Sequence, residues 1–132
     1  MTTDEHAEAF AVERDVQLAL EVHVSNLQRS LDWYQALGFR LAARKETFSV
    51  LQWDDAVFFL KEHAEHSTGA TYANIRVLVP DVDRRWEHAV QLGVQVVVPI
   101  ADRGYGIRDF TLADPDGFGV RFGTSLGDLQ HA

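Results

Sequence analysis

The chain has 132 residues, 46% of them apolar and 24% charged, with 9 glycines, no cysteine and a formal net charge of −8. That length suits one domain with a core of its own, and the missing thiols exclude disulfides, thiolate metal sites and cysteine nucleophiles. The acidic balance offers no basic face for phosphate neutralisation, and no apolar run approaches the roughly 18 residues that span a bilayer, so neither nucleic acid nor membrane is an expected partner.

Residues 1–16 carry Asp4, Glu5, Glu8 and Glu13 and read as an acidic extension with a short helix from Ala7 to Val12. Met1 to His6 lacks the basic and apolar regions of a secretory signal, so the cytoplasm is the expected compartment. Residues 17–24 then alternate, with Leu18, Leu20, Val22 and Val24 on one face and Ala19, Glu21 and His23 on the other, the period of a half-buried strand. Ser25 or Asn26 can cap a helix in which Leu27, Leu31, Tyr34 and Leu37 recur at three-to-four spacing, and Gly38 stops it. Strands are expected near 39–45, 47–53 and 56–62, with Asp54-Asp55 as a hairpin turn.

A polar linker, residues 63–71, leads to a second passage with the same grammar. Residues 72–79 alternate with Ile75, Val77 and Val79 on one face and Asn74, Arg76 and Leu78 on the other. Asp81 is placed to cap a helix with Val82, Trp86, Ala89 and Val90 inward, and Gly93 ends it. Strands follow near 95–101, 107–113 and 118–123, the last two joined by the turn Asp114-Pro-Asp-Gly117, and residues 125–132 form a tail.

The two passages are copies. Val24 to Gly38 aligns with Val79 to Gly93 without a gap, and a longer spacing later aligns Phe48 with Phe110 and Phe59 with Arg121. A repeated unit must bury its apolar face and can leave a cleft for ligands. The fold class is therefore α+β: two tandem βαβββ modules, 17–62 and 72–124, with curved mixed sheets around a cleft.

These paired modules, the helix-opening Asn26-Leu-Gln-Arg-Ser30, Trp33-Tyr34, Leu37-Gly-Phe39 and the late Asp114-Pro-Asp-Gly117 turn resemble the vicinal oxygen chelate superfamily. That group includes glyoxalase I, extradiol dioxygenases and bleomycin-resistance proteins, and Gly104-Tyr-Gly-Ile-Arg-Asp-Phe110 is most similar to the bleomycin-resistance branch. The resemblance implies a homodimer. It also implies, for the enzymes of the group, a divalent metal on four side chains, which here would be Ala19, Phe59, Asn74 and Arg121. A methyl, a phenyl and a guanidinium cannot ligate, and a carboxamide oxygen alone is too little, so no metal and no other cofactor is expected.

Strand parity puts Glu21, His23, Phe59, Lys61, Asn74, Arg76 and Arg121 on the faces turned from the helices. Charged groups there either line a wet cleft or pair internally, Glu21 with Arg76 or Arg121. Trp53 beside its turn and Tyr105 between two glycines are placed to stack on a flat ligand. Arg108 either joins them or anchors its loop to Asp109 or Asp114. The candidate ligand-binding residues are thus Glu21, His23, Trp53, Phe59, Asn74, Arg76, Tyr105, Arg108 and Arg121, with no catalytic residue assigned. No Gly-x-Ser-x-Gly elbow or phosphate loop occurs. The expected function is metal-free binding or sequestration of an aromatic or basic small molecule such as an antibiotic. The alternative is a lyase, isomerase or dioxygenase with a metal on Glu21 and His23.

Overall fold

A computed structural model describes residues 18–63 and 73–127. The chain divides into two compact units, residues 1–68 and 69–132. The first holds β1 (Glu21–Val24), α1 (Leu27–Leu37), β2 (Arg40–Arg44), β3 (Phe48–Trp53) and β4 (Ala56–Glu62). The second holds β5 (Asn74–Leu78), α2 (Val82–Leu92), β6 (Val96–Asp102), β7 (Ile107–Ala113) and β8 (Gly119–Ser125). Each unit is one mixed four-stranded sheet with one helix, in the orders β1-β4-β3-β2 and β5-β8-β7-β6. The outer pairs β1·β4 and β5·β8 are parallel and the remaining pairs antiparallel. This is the α+β architecture of two tandem βαβββ modules.

Local chemistry explains the element ends. The Asn26 side chain accepts the Arg29 amide at 2.9 Å, an N-cap, and Gly38 at φ 120° closes α1. A second acceptor comes from the sheet, where Glu62 Oε2 takes the Leu27 amide at 2.7 Å and meets the positive helix end. Asp81, by contrast, makes no capping bond to α2; its carboxylate receives Arg85 Nε at 3.3 Å instead. Asp114 builds the late turn by accepting the amides of Asp116 and Phe118 at 2.9 and 2.8 Å.

The helix-side cores match the sequence periodicity in the first unit better than in the second. Leu27, Leu31, Tyr34 and Leu37 are buried, and Tyr34 meets Phe39 and Phe58 edge-on at 5.3 and 5.4 Å. In α2, Val82 and Ala89 are buried and Trp86 lies on Phe110 at 5.2 Å, but Val90, expected inward, is exposed. The first strand is shorter than its alternation: Leu18 and Leu20 precede β1 and stand exposed. The expected helix at 7–12 lies outside the described residues.

Register corrects one feature of the repeat. Glu21 pairs with Phe59 as Arg76 pairs with Arg121, which upholds that part of the alignment. Across the antiparallel pairs, however, Val50 opposes Phe59 where Thr111 opposes Arg121, and Phe48 opposes Lys61 where Asp109 opposes Gly123. The counterpart of Phe48 is therefore Asp109, not Phe110. A one-residue slip exchanges the sheet faces, and Phe110 points to α2, stacked on Phe122 at 5.5 Å.

Candidate functional site

The β6–β7 hairpin tip builds the centre of the site. Arg103 N donates to Ile107 O at 2.7 Å and Gly106 N to Arg103 O at 3.1 Å. Gly106 turns at φ 88°, a left-handed conformation that a side chain would strain. The tight turn swings Arg103 and Tyr105 back over the sheet face opposite α2, where alternation on β7 and β8 points Asp109 and Arg121.

Four polar groups close on one another there. Arg103 Nε donates to Asp109 Oδ1 at 2.7 Å, and Arg121 Nη2 to Asp109 Oδ2 at 2.5 Å. The Tyr105 hydroxyl donates to Asp109 Oδ2 at 3.1 Å while accepting from Arg121 Nη2 at 2.9 Å. Arg103 Nη2 also reaches the carbonyls of Pro99 and Asp109, at 2.6 and 3.1 Å. The Asp109 side chain is only 3% exposed. Burial alone would raise its pKa, yet the bonds from Arg103, Arg121 and Tyr105 outweigh that and hold it below the usual aspartate value. The bond to Asp109 raises Arg121 against the opposing effect of burial. The cluster therefore offers fixed charges and directed hydrogen bonds.

Space opens on both sides of this cluster. On β8 the residues sharing the face with Arg121 are Gly119 and Gly123, and the side chains of Asn74 and Ile107 lie over them. A hollow of about 660 Å³ is lined by Asn74, Val97, Val98, Arg103, Tyr105 and Arg121, with Gly119 among its walls. A second, of about 420 Å³, contains Arg76, Leu78, Gly123 and again Tyr105. The Tyr105 ring, 64% exposed and held by its hydroxyl, stands between them.

The candidate residues distribute unevenly. Asn74, Tyr105 and Arg121 share the larger hollow, and Arg76 lines the smaller one. Arg108 lies on the opposite face: it donates to Asp83 on α2 at 2.9 and 3.0 Å and to Asp102 at 3.0 Å, rather than to Asp109 or Asp114. Those bonds raise its pKa, Asp83 most. Trp53 meets Phe39 edge-on at 5.0 Å, on the side of its sheet that packs on α1. Phe59 shares the other side with Phe48 and Val50 in an apolar cluster and is 8% exposed. Within the first unit, Glu21 pairs with His23 at 3.0 Å, and the His23 ring lies against that of His63, tilted by 32°, at 4.2 Å between centroids.

Arg103 and Asp109 are the residues that sequence reasoning missed. Parity held the clue for Asp109: once Phe110 is assigned to the helix side, its neighbour must face the other way. Arg103 depends on the return of a hairpin tip, which no periodicity reports.

The four positions implied for a metal do not suit one. Phe59 presents a phenyl ring among apolar neighbours and Arg121 a cation already engaged by Asp109. Among the described residues, no three His, Asp or Glu side chains gather as a metal site.

Residues 17–122 match the Glyoxalase/Bleomycin resistance protein/Dioxygenase superfamily. The chain belongs to that superfamily. Among solved structures, a bleomycin-binding protein complexed with bleomycin is similar at TM-score 0.69 and 19% identity, with 83% of this chain and 98% of that one covered. A bleomycin resistance determinant encoded on the transposon Tn5 gives 0.71 and 19%, covering 83% and 97%. A glyoxalase/bleomycin resistance protein from Catenulispora acidiphila gives 0.64 and 28%, covering 81% and 96%. No curated protein matches the chain.

Proposed function

We propose that this protein is a metal-free, small-molecule-binding member of its superfamily that holds or sequesters an aromatic compound, such as an antibiotic, against the sheet face of its second unit. The observation that carries the reading is the Tyr105 ring, exposed between two hollows and fixed through its hydroxyl to Asp109 and Arg121. A pre-positioned ring gives stacking area at little entropic cost. Sequestration requires affinity and abundance only, which agrees with a cluster of fixed charges. The bleomycin complex of a structural neighbour supports a ligand-binding use of this fold. The same reading has the protein as a cytoplasmic homodimer, which sedimentation of the purified chain tests separately.

A thermal-shift screen against aromatic antibiotics tests the proposal, since a ligand at 100 times its dissociation constant adds about 2.7 kcal/mol of stability. Tyr105→Ala should remove the shift. No stabilisation by any aromatic compound would refute the reading. So would stoichiometric metal in the purified protein with turnover that chelation abolishes.

A further inference from the structure

The sheet face that carries Tyr105 is unbalanced in charge. Its two hollows are lined by three guanidiniums, Arg76, Arg103 and Arg121, against one carboxylate, Asp109. Asp109 neutralises one of them and is already saturated by Arg103, Arg121 and Tyr105. Two formal positive charges remain on this face of a chain whose net charge is −8. Arg76 and Arg121 are direct partners on the adjacent parallel strands β5 and β8. Such strands run about 4.8 Å apart, and like charges directly opposite destabilise a sheet. Among the described residues of its own unit, the Arg76 side chain has no ion pair or hydrogen bond to offset this, whereas Arg103 and Arg121 do.

We infer that Arg76 and Arg121 together receive the anionic group of the ligand, a carboxylate on a flat aromatic frame. The guanidinium fork matches a carboxylate with two parallel N–H donors. Arg121 borders the larger hollow and Arg76 the smaller one, so both guanidiniums face open space. The aromatic frame then lies along the Tyr105 ring and the exposed side chains of Val97 and Val98. This inference rests on the ligand-binding reading of the same face and adds the sign of the ligand's charge: acidic rather than basic.

Three probes of one shape separate the two claims: 2-naphthoate, 2-naphthamide and 2-naphthylmethylamine, each titrated calorimetrically into the intact chain and into Arg76→Gln. Arg76 is exposed and outside the buried cluster, so the variant keeps the fold. The naphthoate should bind about tenfold more tightly than the amide, as one charge-assisted bond predicts. In Arg76→Gln that advantage should shrink to about twofold or less. Equal binding of naphthoate and naphthamide, tighter binding of the amine, or a naphthoate preference indifferent to Arg76→Gln overturns the inference while leaving a ligand site in place. Absence of binding by all three overturns the ligand-site reading with it.

Discussion

The two sheets present opposite surfaces from equivalent positions. In the first unit, Phe48, Val50 and Phe59 close the face turned from the helix, at 1%, 0% and 8% exposure, with Phe48 on Phe59 at 5.1 Å. In the second, the same register positions hold Asp109, Thr111 and Arg121. One triad is stabilised by apolar burial and has no donor or acceptor to offer. The other keeps its charges by mutual neutralisation and borders open space. The helix sides did not diverge in this way: both use aromatic and aliphatic side chains, Tyr34 and Phe58 in one unit, Trp86, Phe110 and Phe122 in the other. A duplicated fold can thus hold its helix contacts constant while three side chains make one sheet face polar and leave its twin apolar.

Breaking the apolar face should have the largest effect. Phe48→Ala removes a fully enclosed ring and should cost ~3–5 kcal/mol in urea denaturation. It should not alter small-molecule binding on the second unit. Opening the polar face comes next. Asp109→Ala leaves Arg103 and Arg121 facing each other, and a loss of ~2–4 kcal/mol is expected, below the full cost for a buried pair because both arginines keep about a quarter of their side chains exposed. Adding Arg121→Ala should recover part of that loss, since the double variant no longer strands a charge. A double variant as unstable as the sum of the singles would mean that the two residues do not act as a pair.

The polar face also carries an acid sensitivity that the apolar one lacks. The folded pKa of Asp109 lies below its ordinary value of 3.8. The unfolded chain therefore binds the proton first as pH falls, and the stability from this carboxylate, complete at neutral pH, is lost as pH drops from the ordinary aspartate range through the lowered value. Stability of Asp109→Asn should accordingly fall less steeply with acidification than that of the unsubstituted chain, measured by denaturation at a series of pH values between about 5 and 2.

Much of the fold was legible because it depends on local periodicity. Alternation located the strands, three-to-four spacing located α1, and Asp114-Pro-Asp-Gly117 announced its turn. The candidate site was legible only in part. Asn74, Arg76, Tyr105 and Arg121 follow from parity and from a ring set between glycines. Arg108 does not, because its partner Asp83 lies 25 residues earlier on a helix and the choice between two faces is a matter of tertiary packing. Residue type aligns Phe48 with Phe110, while its counterpart in the sheet register is the carboxylate Asp109. Chemical divergence between copies hides the register at the very positions where function could arise.

The smallest expected effect concerns Arg108, which lies on the sheet face opposite the Asp109–Arg121 cluster. Its guanidinium joins Asp83, in the first turn of α2, to Asp102 at the end of β6, and so ties helix to hairpin. Its side chain is 28% exposed and both acidic partners are more than half exposed, so solvent screens the network. Arg108→Ala should cost only ~0.5–1 kcal/mol, and added salt should lessen the difference between variant and parent. If the residue serves as an anchor alone, naphthoate affinity in Arg108→Ala will equal that of the parent, in contrast to Arg76→Gln. A loss of affinity in Arg108→Ala as large as in Arg76→Gln would show that the two sheet faces are coupled through the hairpin, and the division between a packing side and a binding side would fail.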